Sequence, residues 1–207
     1  MVSAETPSRA ATLTLVGGDL ALDFANTCSG RDEPTTLDHL QRPEQVAQWA
    51  AHARVLTPED AQWLEAAATD ALGARLLGEA LALRGRIYEI GAALAAGRPA
   101  PPEATDGLAK AHAHALQCAA LTPLGPRFGW TWRTRETPVE AVLGPISLSA
   151  LTLLQQADLS RVKQCGGENC GWLFFDATKN KSRRWCEMEV CGNRAKQKRF
   201  GDRTRRA

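Results

Sequence analysis

The chain has 207 residues, 44% of them hydrophobic and 23% charged, which suits a globular protein with one sizeable core and a small satellite module. Its net charge of +2 conceals an asymmetry: residues 161–207 hold 13 Lys and Arg against 5 Asp and Glu, so an acidic body precedes a basic tail. No window reads as a membrane span, no basic segment leads into an apolar run at the start, and 6 cysteines are too few for a disulfide scaffold, so a cytoplasmic protein is expected rather than a membrane or disulfide-rich secreted one.

Met1 to Ala11 is small and polar and is expected to be disordered. Leu13–Val16 and Leu20–Phe24 read as short strands joined at Gly17-Gly18, the second alternating Leu20, Leu22 and Phe24 with Ala21 and Asp23. Asp19, Asp23 and Asn26 either line a ligand site or serve turns through local hydrogen bonds. Cys28 to Leu40 reads as loop, followed by a helix from Pro43 to about Ala53 that buries Val46, Trp49 and Ala50. Thr57-Pro58-Glu59-Asp60 is a helix start: a capping hydroxyl, a proline at the first position and two acids at the positive end. The Ala- and Leu-rich stretch from there to Ala96 predicts two helices parted near Thr69-Asp70 and stopped by Gly97 and Pro99.

Another helix is expected over Ala104–Ala115, then a hairpin of Leu116–Thr122 and Phe128–Thr134 around Pro123-Leu124-Gly125-Pro126, with Trp130 and Trp132 on its core face. Thr137-Pro138 opens the last helix of the body, which is expected to break at Gly144-Pro145 and to resume from Ile146 to about Asp158. This helix should pack on both parts of the chain and keep the C-terminal module from swinging freely. His39, His52, His112 and His114 show no metal-ligand spacing, because His112 and His114 are two apart and point to different sides of a helix. There is no H-E-x-x-H, G-x-S-x-G or phosphate-loop pattern, and Cys28 and Cys118 are single and read as inert thiols. No catalytic residue is assigned, and the chain is not expected to be an enzyme.

Cys165 and Cys170 form one C-x4-C pair and Cys186 and Cys191 another, 15 residues apart. Such pairs bring four thiolates to one tetrahedral Zn2+, and four sulfurs leave no open position, so the ion is structural. Two disulfides are the competing reading. Gly166 and Gly167 supply a knuckle, Trp172–Asp176 a strand, Ala177–Ser182 a polar turn and Arg183–Cys186 a return strand. Helix-compatible residues from Asn193 to Phe200 place Cys191 at a helix N-terminus, where the dipole favours a thiolate. Knuckle, hairpin and helix around one ion make a treble-clef-like arrangement. The whole is therefore α+β: a helix-rich body with short β-hairpins, followed by a small four-cysteine zinc module.

Zinc with four thiolates contributes about −2, and Lys163, Arg183, Arg184 and Arg194 are expected to neutralise it. Beyond the last ligand, Lys196, Lys198, Arg199, Arg203, Arg205 and Arg206 suit a polyanion, or else form a solvated end. Arg194 and Lys198 share a helix face, Lys196 and Arg199 flank it, and all four suit phosphate. Asn193 and Gln197 are four apart and have the chemistry to read adenine. Trp172, Phe174, Phe175 and Trp185 either pack the module onto the body or a partner, or stack on single-stranded bases, with packing the default. The alternative to nucleic-acid binding makes the module an interaction or homo-oligomer element beside a body that senses a small-molecule effector.

Cys191-Gly192-Asn193-Arg194, preceded by Trp185-Cys186, resembles a CGNR-type zinc finger. The stretch from Gly17 to Thr27, GGDLALDFANT, is similar to the opening of the ABATE domain, which commonly precedes that finger in bacterial proteins. The resemblance covers nearly the whole chain, with the ABATE-like domain expected over 12–159 and the finger over 160–207. It implies a stress-linked transcription regulator whose finger binds DNA.

Overall fold

The computed structural model describes residues 8–31 and 36–204, and residues 199–204 by backbone alone. The disorder expected of Met1–Pro7, the side chains of Arg199 and Arg203, and Arg205 and Arg206 lie outside the described residues. Ser8 to Ala11 is tied down rather than loose: Ser8 Oγ donates to His39 O at 2.9 Å, and Ala10 is fully buried in a short 3-10 turn.

The first element corrects the sequence expectation. Leu20–Ala25 is a helix, α1, not a strand. Asp19 is extended and its side chain accepts from Ala21 N, which caps the helix, while Gly18 turns the chain at φ +75°. Period-2 alternation was uninformative here because Ala21, Leu22, Phe24 and Ala25 are all buried. The stretch read as loop contains a small antiparallel pair, β1 (Cys28–Ser29) and β2 (Leu37–Asp38). Helices α2 (Pro43–His52), α3 (Pro58–Ala67) and α4 (Asp70–Ala95) follow with the expected starts, and Thr57 Oγ1 accepts from Asp60 N at 3.1 Å.

Helix α4, about 39 Å long, is the axis of the body. Leu76, Ala80, Leu83, Ile87 and Ile90 form its buried stripe at helical spacing, and α1, α2, α5 (Pro102–Gln117) and α6 (Pro138–Gln156) pack on it. Helix α6 runs unbroken through Pro145. Proline removes the donor that would have bonded Ala141 O, yet the helix continues on either side of it; Ser147 Oγ donates back to Gly144 O at 2.9 Å, and the missing Cβ of Gly144 lets the Trp132 ring lie against the helix. Contrary to the sequence reading, α6 is long and apolar enough to cross a membrane by length and composition; half of that window is buried, and Val139, Val142, Ile146 and Ala150 join the core.

Strands β3 (Ala120–Leu124) and β4 (Arg127–Thr131) form a hairpin in register from Ala120↔Thr131 to Leu124↔Arg127, closed at Gly125 with φ +64°. The expected strands were offset, and the two tryptophans do not share a core face: Trp132 lies beyond β4 on α6, while Trp130 is 40% exposed. The last pair is β5 (Val162–Gln164) with β6 (Leu173–Phe175). The sequence reading had paired the 172–176 segment with Arg183–Cys186, which forms no strand. Asp176 prevents that return: Arg183 N donates to Oδ2 at 2.9 Å and Thr178 N to Oδ1 at 3.0 Å, which curls the loop around one carboxylate. Helix α7 (Asn193–Thr204) closes the described chain.

Candidate metal centre

Cys165 follows β5 directly, and its N–H donates to Trp172 O at 2.8 Å, extending the β5–β6 ladder by one rung. The chain then folds into a knuckle in which Gly166 N donates to Arg184 O at 3.2 Å and Cys170 N to Gly167 O at 3.3 Å. A Cβ on Gly167 would lie 3.0 Å from Cys191 Sγ, so this position needs glycine for close approach. Cys191 sits in a single π-helical turn, Met188–Gly192, that runs straight into α7. The sequence expectation of a ligand at a helix start therefore holds.

The four sulfurs lie within 4.8 Å of one another, with Cys170 to Cys186 at 3.7 Å and Cys186 to Cys191 at 3.6 Å. A tetrahedron with Zn–S of about 2.3 Å has edges of about 3.8 Å. The spacing and the all-sulfur donor set thus fit one structural zinc ion, and neither water nor substrate has a position on it. Cys165, Cys186 and Cys191 are buried and Cys170 is half-buried. The N–H groups of Cys186 and Gly167 point at Cys165 Sγ from 3.3 and 3.4 Å. Hydrogen bonds from Cys170 and Cys186 bring the Cys165 thiol down to about 2, whereas bonding to Cys165 pushes Cys170 up to about 12. Cys186 is raised by bonding to Cys165 and Cys170, and Cys191 chiefly by burial. Metal binding requires all four as thiolates, and the ion supplies the charge that stabilises them together.

Of the basic residues expected to neutralise the centre, Lys163, Arg183 and Arg184 have other partners, while Arg194 lines the groove beside Cys165 and Cys191. Lys163 Nζ pairs with Asp176 Oδ2 at 2.7 Å and also donates to the carbonyls of Lys181 and Arg183. Burial alone would raise Asp176, but Lys163, Thr178 and the Arg183 N–H hold it below the usual carboxylate range. Arg183 lies over the Phe174 ring at 4.4 Å and donates to Trp185 O, Cys186 O and Val16 O, the last at 2.9 Å and belonging to the body. Arg184 lies over Trp185 at 5.9 Å.

The stretch from Val16 to Gly30 receives the module. Asn26 makes a paired contact with Leu173: its Nδ2 donates to Leu173 O at 2.8 Å and its Oδ1 accepts from Leu173 N at 2.7 Å. Phe175 N donates to Gly17 O at 2.7 Å, Gly30 N to Cys170 O at 3.0 Å, and Trp172 Nε1 to Ser29 Oγ at 2.7 Å. Asp23 shapes the turn by accepting from Gly17 N at 2.7 Å, and burial pushes its carboxyl up to about 6. Asp19 caps α1 and accepts from Ser149 Oγ at 2.8 Å. Of the two uses weighed in the sequence, the turn holds for Asp19 and Asp23, while Asn26 has a third that sequence reasoning missed, which is to anchor the finger. Among the four aromatics, Phe174 is fully buried, Phe175 packs on the main core, and Trp172 and Trp185 pack against the cysteines, in agreement with packing over base stacking.

Of the residues proposed to touch nucleic acid, Arg194 and Lys198 come together on a groove floored by Cys165, Cys191 and the knuckle and walled by Trp185. Lys198 pairs with Glu168 across it at 2.7 Å. Lys196 and Gln197 are exposed but do not line this groove, and Asn193 is turned back, its Nδ2 donating to Glu189 O at 2.9 Å. The side chain of Arg199 lies outside the described residues.

With this geometry in place, comparison with known families gives two adjoining matches. The family described as "CGNR zinc finger" matches residues 161–204. The ABATE family, described as "Putative stress-induced transcription regulator", matches residues 18–157. A search of the curated proteins finds no match.

Proposed function

Because the chain belongs to the ABATE family and carries a CGNR zinc finger, we propose that it is a bacterial, cytoplasmic, stress-linked transcription regulator that binds duplex DNA through α7. The observation that carries this reading is the placement of Arg194 and Lys198, one helical turn apart, on the groove beside the four-cysteine centre. In this role the closed zinc fixes the knuckle to α7 and does no chemistry of its own, and no catalytic step is involved. Arg194, Lys196 and Lys198 contact phosphate, Gln197 is the candidate base reader, and Asn193 is held back by Glu189 O.

The test is binding of zinc-loaded protein to a mixed pool of duplex DNA across a salt series. Arg194→Ala, Lys196→Ala and Lys198→Ala combined should weaken binding and flatten the salt slope by about 0.9 for each phosphate no longer neutralised. An unchanged affinity and slope would refute this surface.

A second reading, in which the finger is an interaction or dimerisation element, is favoured by Met188 and Val190. Both are exposed, at 49% and 39%, on the turn that carries Cys191. Self-association that survives high salt and is lost in Val190→Asp supports it. A body that senses a small-molecule effector would be stabilised by that compound.

A further inference from the structure

We propose that the body holds a second, exchangeable metal site, for a borderline divalent transition ion such as Zn2+, built from His114, Cys118 and Glu140. His114 lies in the last turn of α5 and Cys118 is the residue that caps it, so the two are four apart and share a helix face. Glu140 projects from the first turn of α6 and is 4% exposed. Imidazole nitrogen, thiol sulfur and carboxylate oxygen lie within 4.8 Å of one another, with His114 Nε2 at 3.1 Å from Glu140 Oε1. The sequence reading compared histidines only with one another and so passed over the His114–Cys118 spacing.

The donor set decides the class of ion. A thiolate with an imidazole selects Zn2+, Co2+ or Ni2+ over Mg2+ and Ca2+, which prefer all-oxygen shells. Three protein ligands leave a further position open, and His114 and Glu140 also line a cleft between α4, α5 and α6. This is the geometry of an exchangeable ion, in contrast to the closed four-cysteine centre.

Arg75 supplies the exchange partner. Its Nη2 pairs with Glu140 Oε1 while its Nε pairs with Glu79 at 2.8 Å. Arg75 is the cation paired with the buried Glu140 carboxylate, and a metal would take its place. On replacement Arg75 keeps Glu79, so neither charge is stranded. The ion then clamps the end of α5 to the start of α6, the helix that carries the chain toward the finger.

The test uses the full chain with its finger already loaded, titrated with Zn2+ against a chromophoric chelator and, separately, with Co2+. The wild type should take up a second equivalent, and the Co2+ form should show a thiolate-to-cobalt charge-transfer band. Cys118→Ser and His114→Ala should each lose that equivalent and keep the first. Arg75→Gln, which removes the competing cation, should tighten it. Uptake of a single ion by the wild type would overturn the proposal, and so would a second equivalent that persists undiminished in both Cys118→Ser and His114→Ala. The count is independent of DNA binding.

Discussion

Replacing Asn26 with alanine tests how the finger is held. Asn26 is 1% exposed and satisfies both backbone groups of Leu173, itself fully buried, at 2.7 and 2.8 Å. Alanine leaves an amide and a carbonyl in an enclosed site with no partner, and each costs about 1–3 kcal/mol. Allowing for partial relaxation, the total is about 2–5 kcal/mol, a large part of a typical stability of about 5–15 kcal/mol. For a chain of this size that corresponds to a fall in Tm of about 5–15 °C. Calorimetry on zinc-loaded protein measures it, and limited proteolysis shows where the structure opens, which should be between α1 and β6. Asn26→Asp adds a control of sign: ionised, it accepts from Leu173 N but repels Leu173 O, whereas protonated it restores a donor. Its stability should therefore recover as pH falls. A Tm within about 2 °C of wild type for Asn26→Ala would refute the latch, since less than about 1 kcal/mol would then rest on it.

Removal of zinc with a chelator should unfold the knuckle and the segment after Asp176, with loss of near-UV signal and new protease cuts there, because four thiols cannot hold these turns alone. A spectrum and digestion pattern unchanged by the chelator would refute that dependence. Asp23 sets a pH response: its carboxyl is raised by burial from 3.8 to about 6, so its stabilising contribution is complete below about pH 4 and is lost as pH rises through about 6. Asp23→Asn keeps an oxygen for Gly17 N and should flatten the slope of stability between those values; an unchanged slope in a pH series of denaturant unfolding would place the titration elsewhere.

The parts of the fold that were legible in the sequence were those written in local chemistry. Thr57-Pro58 and Pro43 mark helix starts whatever they pack against, and the paired cysteines carry their geometry in their spacing. What failed depended on partners distant in sequence. Leu20–Ala25 alternates like a strand, yet residues 21–25 are all buried, against α4, α6 and β6, and the Asp19 cap makes it a helix. The 172–176 segment is a strand as expected, but its pairing was decided by Val162–Gln164 upstream and by the Asp176 carboxylate, which takes the backbone that a return strand would have used. In the site, the ligands could be read and the individual partners of the nearby cations could not, because Lys163 serves Asp176 and Arg183 serves carbonyls on both sides of the junction, groups that only the fold brings together.

Zinc and body divide the task of presenting α7. The ion joins the knuckle to the turn before α7, but by itself it leaves that pair free to rotate on the body. The rotation is removed by backbone bonds that the metal does not touch: Asn26 to both groups of Leu173, Gly17 O to Phe175 N, and Cys170 O to Gly30 N. Each ties a backbone group of the finger to the body, so the β5–β6 pair and the knuckle that lead to α7 are seated and not on a tether. Helix α4 is part of the same lock, since Gly91 lacks the Cβ that would come within 2.5 Å of Leu173 Cδ1 and so lets β6 sit flush against the helix.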